Sequence, residues 1–489
     1  MRSDISMGIN KMNKIVIQKC EINWITRYHM DLMGDVFEYQ GRIFRLVKQE
    51  REEFVRELFS SGILSSLFRE RLLINSWITD EIQIVGLENA IIIEHEAIKH
   101  KSNVYEWTYE MLLAARSTVA RLNVYLLNYG YELMDPHVGN IMFMGCKPVY
   151  VDIGSIARME ECKMVGYSVF NNHWINLLKV YEKRDTCGAI NQNLLYFGGG
   201  VSDRDRAKLI KGEFIRAYRF RQLYMTVIAR LYGFEEVSKR KIINRGTAIL
   251  QTIFQIDDEK KKKRKRKLYK KYVTYVHKEL QSERGVWSDY QNFAVLSTTV
   301  VAGDRFGYYI QLMQKLREDY AISDVLEVGA NSGALSQLLV ERNIVDFASA
   351  TDYDIAAVSK GFVRCKEIQR INERILFSVM DLLQEKELGR RACERYKSDV
   401  VMALALSHHL ILTQKIKLSV LVTILSNYTK RFLIIEFMPL GLWSGANPNP
   451  DVQEWYTLDW FVEGLREKFQ IVKVENIETN RVCILASKL

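Results

Sequence analysis

The chain has 489 residues, 48% apolar and 26% charged, a globular composition with enough apolar residues for sizeable cores in two domains. No apolar run approaches the roughly 18 residues that a membrane span requires, and the mixed, polar N-terminal stretch is not expected to direct secretion. The formal net charge is +10, but eight basic residues form one run at 260–267, and removing them from +10 leaves +2, so the charge is local and does not mark a nucleic-acid-binding fold. Seven scattered cysteines without a Cys-x-x-Cys pair argue against zinc and against a disulfide framework. They predict reduced thiols in a cytoplasmic protein and no metal site.

From the N-terminus, 36–39 and 42–47 flank Gln40-Gly41 and read as a β-hairpin. An amphipathic helix is predicted over 50–68, with Phe54, Val55, Leu58, Phe59, Leu64 and Phe68 near one face. Short strands follow at 72–77, 82–85 and 90–94, and then a long helix over 106–129. Next come Asp135-Pro136-His137-Val138-Gly139-Asn140 and, after a short hairpin, a strand ending in Asp152-Ile153-Gly154. This spacing resembles the catalytic and metal-binding loops of kinase-like folds. In those folds the first Asp faces the attacking hydroxyl, and the Asn and second Asp hold Mg²⁺. The resemblance puts Asp135, Asn140 and Asp152 in those positions. Three departures speak against phosphate transfer. No Gly-rich phosphate loop precedes them. No Val-Ala-Ile-Lys strand is present, which leaves Arg45 or Lys48 as the phosphate-binding cation. Leu133-Met134 replaces His-Arg. Asp135, Asn140 and Asp152 are then hydrogen-bonding supports of the loop.

The region 164–231 reads as mostly helical, with core aromatics and a loop at Phe197-Gly198-Gly199-Gly200. A charge-dense connector follows over 235–271. Eight adjacent cations repel one another and resist burial, so the 260–267 run is expected to be solvated and poorly packed. A weak contact with an anionic membrane surface is the other reading. Trp287-Ser288-Asp289-Tyr290 opens the last domain, with 287–304 and a helix over 305–318 placed as a lid.

The most informative stretch is Val325-Leu326-Glu327-Val328-Gly329-Ala330-Asn331-Ser332-Gly333. It is a strand, a glycine turn and the start of a helix, the place where an open α/β sheet binds a nucleotide-like ligand. A dinucleotide site would need glycines at 329, 331 and 334, but Asn331 and Ala334 occupy two of these positions. S-adenosylmethionine (SAM) does not need that close approach. A second strand at 345–351 ends at Asp352, suited to ribose hydroxyls, and Asp354 is suited to capping the next helix. A third, at 375–380, ends at Asp381, suited to the adenine amino group or to a turn. A fourth, at 400–406, ends in Ser407-His408-His409, and a fifth, at 432–436, ends at Glu436. A helix over 458–468 and strands at 471–474 and 482–486 complete the series.

Taken together, the motifs resemble a bacterial group of two-part class I SAM-dependent methyltransferases, including nodulation-type enzymes, with a reduced kinase-like segment in front. The marks are Asp135 to Asn140, 148–155, 287–290, 326–333, 352–358, Ala403-Leu404-Ala405-Leu406-Ser407-His408-His409-Leu410 and Ile434-Ile435-Glu436-Phe437-Met438-Pro439. The expected fold class is α/β: a C-terminal Rossmann-like methyltransferase sheet preceded by an α+β kinase-like domain. The expected divisions are 1–232, a connector at 233–285, and 286–489. The expected cofactor is SAM, held by Glu327, Gly329, Asn331, Gly333, Asp352 and Asp381. His408, His409 (favoured) and Glu436 are the candidate catalytic residues. The resemblance implies methyl transfer in a saccharide or secondary-metabolite setting without fixing the acceptor, and the expected reaction is O-methylation of a small-molecule or saccharide-type acceptor. The alternative is a bifunctional kinase–methyltransferase. No nucleic-acid partner is expected.

Overall fold

The computed structural model describes residues 14–26, 31–162, 165–183, 200–210, 223–224, 226–232, 241–274, 305–383, 391–443 and 452–489. The expected lid at 287–304 and the glycines at 198–199 lie outside the described residues.

In the N-terminal part, β1 (Ile15–Ile17) pairs in parallel with β6 (Ile82–Ile84). β2 (Asn23–Thr26), β3 (Gly34–Tyr39), β4 (Arg42–Val47), β5 (Ser76–Thr79) and β7 (Ile92–His95) form an antiparallel sheet in the order β2-β3-β4-β7-β5. The predicted hairpin is β3–β4. The helix expected over 50–68 is two helices, Glu52–Ser60 and Ile63–Arg69, broken at Ser61-Gly62. The long helix is Tyr109–Asn128, started by Thr108, whose hydroxyl accepts from the Met111 amide at 3.3 Å. It is buried along most of its length and is the central post of this part. Beyond it, β8 (Tyr131–Leu133) pairs with β11 (Ile156–Arg158), and β9 (Ile141–Met144) forms a hairpin with β10 (Lys147–Tyr150).

The basic run does not behave as expected. It lies in the helix Asp258–Lys270, begun by Asp257, which accepts from the Lys260 amide at 2.7 Å. The helix packs against Tyr109–Asn128. Lys265 is 1% exposed and its ammonium donates to Glu132 on β8, which is itself fully buried. One turn on, the Tyr269 hydroxyl donates to the same carboxylate at 2.9 Å. Residues i and i+4 share a helix face, so one buried acid anchors that face while Lys260, Lys263, Lys267 and Lys270 stay exposed. The expectation of a solvated, poorly packed run is therefore corrected.

The C-terminal part contains β12 (Asp324–Val328), β13 (Phe347–Asp352), β14 (Ile375–Val379), β15 (Ser398–Ala403), β16 (Thr429–Phe437), β17 (Phe469–Glu478) and β18 (Arg481–Lys488). The sheet order is β14-β13-β12-β15-β16-β18-β17. The first five strands are parallel, and β18 runs antiparallel to both β16 and β17. The helices Ala334–Glu341, Ile355–Lys366 and Leu418–Tyr428 provide the crossovers. This is the expected Rossmann-like sheet. Strand order reverses between β12 and β15, which opens a crevice at their carboxyl ends.

The two parts are not separately closed. Trp107, Phe143 and Phe362 meet edge-on within one continuous core, with centroids 5.0 and 5.8 Å apart. At the β9–β10 turn, Gly145 takes φ +61° and lies so close to the Asn372-Glu373 backbone that a Cβ would sit 2.5 Å from the Asn372 carbonyl oxygen. Only glycine fits there. The next amide, Cys146, donates to that carbonyl at 2.5 Å. Arg395 pairs with Glu106 at 2.5 and 2.9 Å, both buried, and Lys99 reaches Asp324 at 3.0 Å. Asp324 begins β12, Asn372 precedes β14 and Arg395 precedes β15. The N-terminal part thus seats on the amino ends of the parallel strands, opposite the ligand edge.

Candidate active site

At the carboxyl end of β12, Gly329, Asn331 and Gly333 take φ of +67°, +54° and +66° and fold the chain into the start of the helix Ala334–Glu341. Two acids fix this turn. Glu327 is buried and accepts from the Ser336 hydroxyl at 2.5 Å and the Ser336 amide at 3.2 Å. Burial pushes its carboxyl up to about 7, against the lowering effect of those bonds. Asp352, at the end of β13, accepts from the Asn331 amide at 2.7 Å and the Asp354 amide at 2.9 Å. Its pKa is raised by burial. Asp354 caps the helix Ile355–Lys366, accepting from Ala356 and Ala357.

Gly333 has a packing role. A Cβ there would lie 2.7 Å from Phe377 and 2.8 Å from Ala350, under the turn rather than in the crevice. Asp381 is exposed and accepts from the Leu383 amide at 3.0 Å, as a turn acid does. Ser332 is 2% exposed, and its hydroxyl takes no hydrogen bond among the described residues. An orphan buried hydroxyl in this turn, beside a carboxylate at the ribose distance along the chain, fits an adenosine ligand.

On the neighbouring strand, β15 ends at Ala403, and the rings of His408 and His409 lie tilted by 40° with centroids 4.1 Å apart. His408 is 5% exposed, and its Nδ1 has no partner among the described residues. Burial, helped by His409 and by Arg481 and Arg305, lowers its pKa to about 3, so it is neutral at working pH. His409 is half-buried, opens the π-helical turn His409–Thr413, and is lowered by burial.

Glu436 is brought to the same edge, but its oxygens are occupied. It accepts from Arg305 at 3.0 Å, Tyr309 at 2.7 Å, Arg481 at 2.8 Å and the Ala405 amide at 2.6 Å. A carboxylate with four donors serves to order its neighbours. Arg305, Tyr309 and Arg481 lie up to 131 residues from Glu436 and carry no motif that would have marked them.

Asp135, Asn140 and Asp152 come together in the N-terminal part. Asn140 Nδ2 donates to the Asp135 carbonyl at 2.8 Å and reaches Asp152 at 3.5 Å. His137 lies 3.3 Å from the Asp135 carboxylate. Arg45, on the third strand of its sheet and 3% exposed, donates to Asp152 at 2.6 Å and also binds Asp31. Lys48 donates instead to the Asp31 carbonyl at 2.6 Å. The sequence left Arg45 or Lys48 as the phosphate cation; Arg45 instead pairs with the acid that a metal would need, and Lys48 is held at Asp31. Asp31 carried no signal.

No family model matches the chain. It is 22% identical over 427 residues to the nodulation protein NoeA of Rhizobium meliloti (strain 1021), covering 84% of this chain and 83% of that protein. Similar solved structures include magnesium protoporphyrin IX methyltransferase from Synechocystis PCC 6803 with bound SAM (16% identity, 44% of this chain, 100% of that chain, TM-score 0.30). They also include the N-methyltransferase NodS of Bradyrhizobium japonicum WM9 (13%, 38% of this chain, 99% of that chain, TM-score 0.28). The sheet order, with the glycine turn after β12 and acids at successive strand ends, is that of a Rossmann-like α/β fold. Among the described residues no helix is long and apolar enough to cross a membrane.

Proposed function

We propose that the chain transfers the methyl group of SAM to a hydroxyl of a small-molecule or saccharide-type acceptor. The observation that carries this reading is the lock between Asp352 and the Asn331 amide, at the same carboxyl edge of the sheet as the His408–His409 pair that follows β15. SAM supplies an electrophilic methyl on a sulfonium. Glu327 and Asp352 hold the turn that would receive the adenosine, Asp352 with a carboxylate edge toward the ribose. His409, the more exposed imidazole, takes the acceptor's proton as the hydroxyl oxygen attacks in line. Neutral His408 packs behind it and fixes its ring. Glu436 is a positioning residue that ties Arg305 and Arg481 to the edge. The resemblance to nodulation-type methyltransferases supports the saccharide-type acceptor.

The N-terminal part serves as a scaffold of kinase-like ancestry, with Asp135, Asn140 and Asp152 as loop supports. The Arg45–Asp152 pair supports that reading. The helix Asp258–Lys270 goes with this part, so the connector of the three-way division shortens on its N-terminal side. A cytoplasmic protein is proposed, with weak contact between the exposed lysines and an anionic membrane surface.

The test is transfer of methyl label from SAM to a panel of oligosaccharides and small hydroxyl compounds. His409→Ala is expected to lower kcat by about 100-fold or more with SAM affinity unchanged. Equal turnover in that variant would remove the base assignment.

A further inference from the structure

The helix Lys241–Ile253 ends in four large apolar side chains that stay open to solvent. Ile249, Leu250, Ile253 and Phe254 are 59%, 46%, 65% and 55% exposed. The Phe254 amide still donates to the Leu250 carbonyl at 2.9 Å, so Phe254 continues the helical turn. Spaced i, i+1, i+4 and i+5, the four fall within about 140° of arc on one face. The helix is held from another side, where Gln251 Nε2 donates to the Arg230 carbonyl of the helical segment 226–231 at 3.3 Å. The apolar face is thus turned away from the element that docks the helix. Single exposed apolar residues are ordinary, but four adjoining ones on one helix face mark a contact site.

The chain then turns at Gln255, with φ +50°, and enters the basic helix Asp258–Lys270. Lys260 joins the two helices, its ammonium donating to the Phe254 carbonyl at 2.8 Å. Lys260, Lys263, Lys267 and Lys270 are all exposed and recur at i, i+3, i+7 and i+10. That spacing confines them to about 80° of arc. Lys265 and Tyr269, which are clamped to Glu132, lie on the opposite side of the helix. The clamp therefore holds a stripe of four ammonium groups outward, beginning where the apolar face ends. The acids at the start of this helix are engaged with its first turn. Asp257 caps it, and Asp258 and Glu259 pair with Lys261 and Lys262 at 3.2 and 3.0 Å.

An apolar helix face continued by a cationic stripe suits an anionic lipid surface. The apolar side chains enter the boundary between headgroups and acyl chains, and the lysines meet the anionic headgroups. Four ammonium point charges spread over about 15 Å match a plane of singly charged headgroups better than one compact anion. We propose that the 249–254 face inserts into an anionic membrane surface with the lysine stripe lying along it, an inference that rests on the lysine contact proposed for the basic helix and gives that contact an apolar anchor.

Co-sedimentation of the full chain is measured at low and high salt with vesicles of phosphatidylcholine alone and with about 30% phosphatidylserine. Ile253→Asn/Phe254→Asn and Lys263→Ser/Lys267→Ser are each expected to weaken binding to the anionic vesicles about tenfold or more, with an unchanged circular dichroism spectrum. Phe254→Trp is expected to bind as the unmodified chain does and to add fluorescence that lipids brominated on the acyl chains quench. Binding that high salt and the lysine variant abolish but the first variant keeps, with no added quenching, would leave the lysine contact and overturn the anchor. No binding of the unmodified chain to anionic vesicles would overturn both. Self-association that only the first variant loses, without vesicle binding, would give the face to a second copy of the chain and overturn the lipid assignment.

Discussion

Replacing Lys265 by Met should destabilise the whole N-terminal part, although the lysine belongs to a run of eight cations. The ammonium is 1% exposed and its partner Glu132 is fully buried, so Met fills the space of the stem and leaves a carboxylate with one remaining donor, Tyr269. Removing one member of a buried pair costs about 3–5 kcal/mol. Burial already raises the pKa of Glu132, with Lys265 opposing that shift. Without the lysine the acid is pushed further up. An acid whose folded pKa lies above its unfolded value contributes stability at low pH and loses it as pH rises through the folded pKa. The Lys265→Met deficit should therefore be larger at pH 8 than at pH 5. The assay is denaturant unfolding followed by tryptophan fluorescence at both pH values, as a double-mutant cycle with Glu132→Gln. The double variant should recover at least about 1 kcal/mol relative to the sum of the singles. Lys260→Ser/Lys263→Ser should stay within about 0.5 kcal/mol of the unmodified chain. A Lys265→Met protein as stable as that control would refute the clamp and restore the solvated linker.

Glu327 gives a second pH effect. Its folded pKa of about 7 lies above the 4.5 of the free side chain, so its contribution is full below pH 4.5 and is lost as pH rises through about 7. Glu327→Gln should flatten the fall in stability between pH 5 and 8, a change of up to about 3 kcal/mol, read as Tm against pH; an unchanged slope would contradict it. The N-terminal part should not transfer phosphate from ATP, because Arg45 holds Asp152. Phosphate transfer that disappears in Asp135→Ala or Asp152→Ala would reverse that statement and favour the bifunctional alternative. Gly145→Val should disrupt the seat of the β9–β10 turn on Asn372 and lower Tm by several degrees. A Tm within one degree would mean the two parts are coupled elsewhere.

Local patterns were readable where one segment carries its own signal. The β3–β4 hairpin, the long helix near 109–128 and every strand of the C-terminal sheet announce themselves by period, turn residues and continuous apolar runs. So do the acids at the ends of β12 and β13, because a strand end is visible in the sequence. Gly333 was readable as a required glycine but not for its reason, since Phe377 and Ala350 come from other strands. The burial of Lys265 was hidden for the same cause: Glu132 is 133 positions away, and a charge run reads as solvated unless its partner is known. The donors saturating Glu436 come from 31 to 131 residues away, so its strand-end position looked like that of a free carboxylate. The seat of the N-terminal part, built from Cys146, Glu106 and Lys99, likewise has no local pattern.

The central claim is that the carboxyl edge of the seven-stranded sheet binds SAM through the turn that Asp352 holds. Calorimetric titration of SAM into the full chain and into Asp352→Ala tests it most directly, with circular dichroism confirming that both are folded. The account predicts one site per chain, weakened at least about tenfold in the variant, since a carboxylate hydrogen bond is worth about 1.5–3 kcal/mol. No binding to the unmodified chain, or equal affinity in the folded variant, would contradict it.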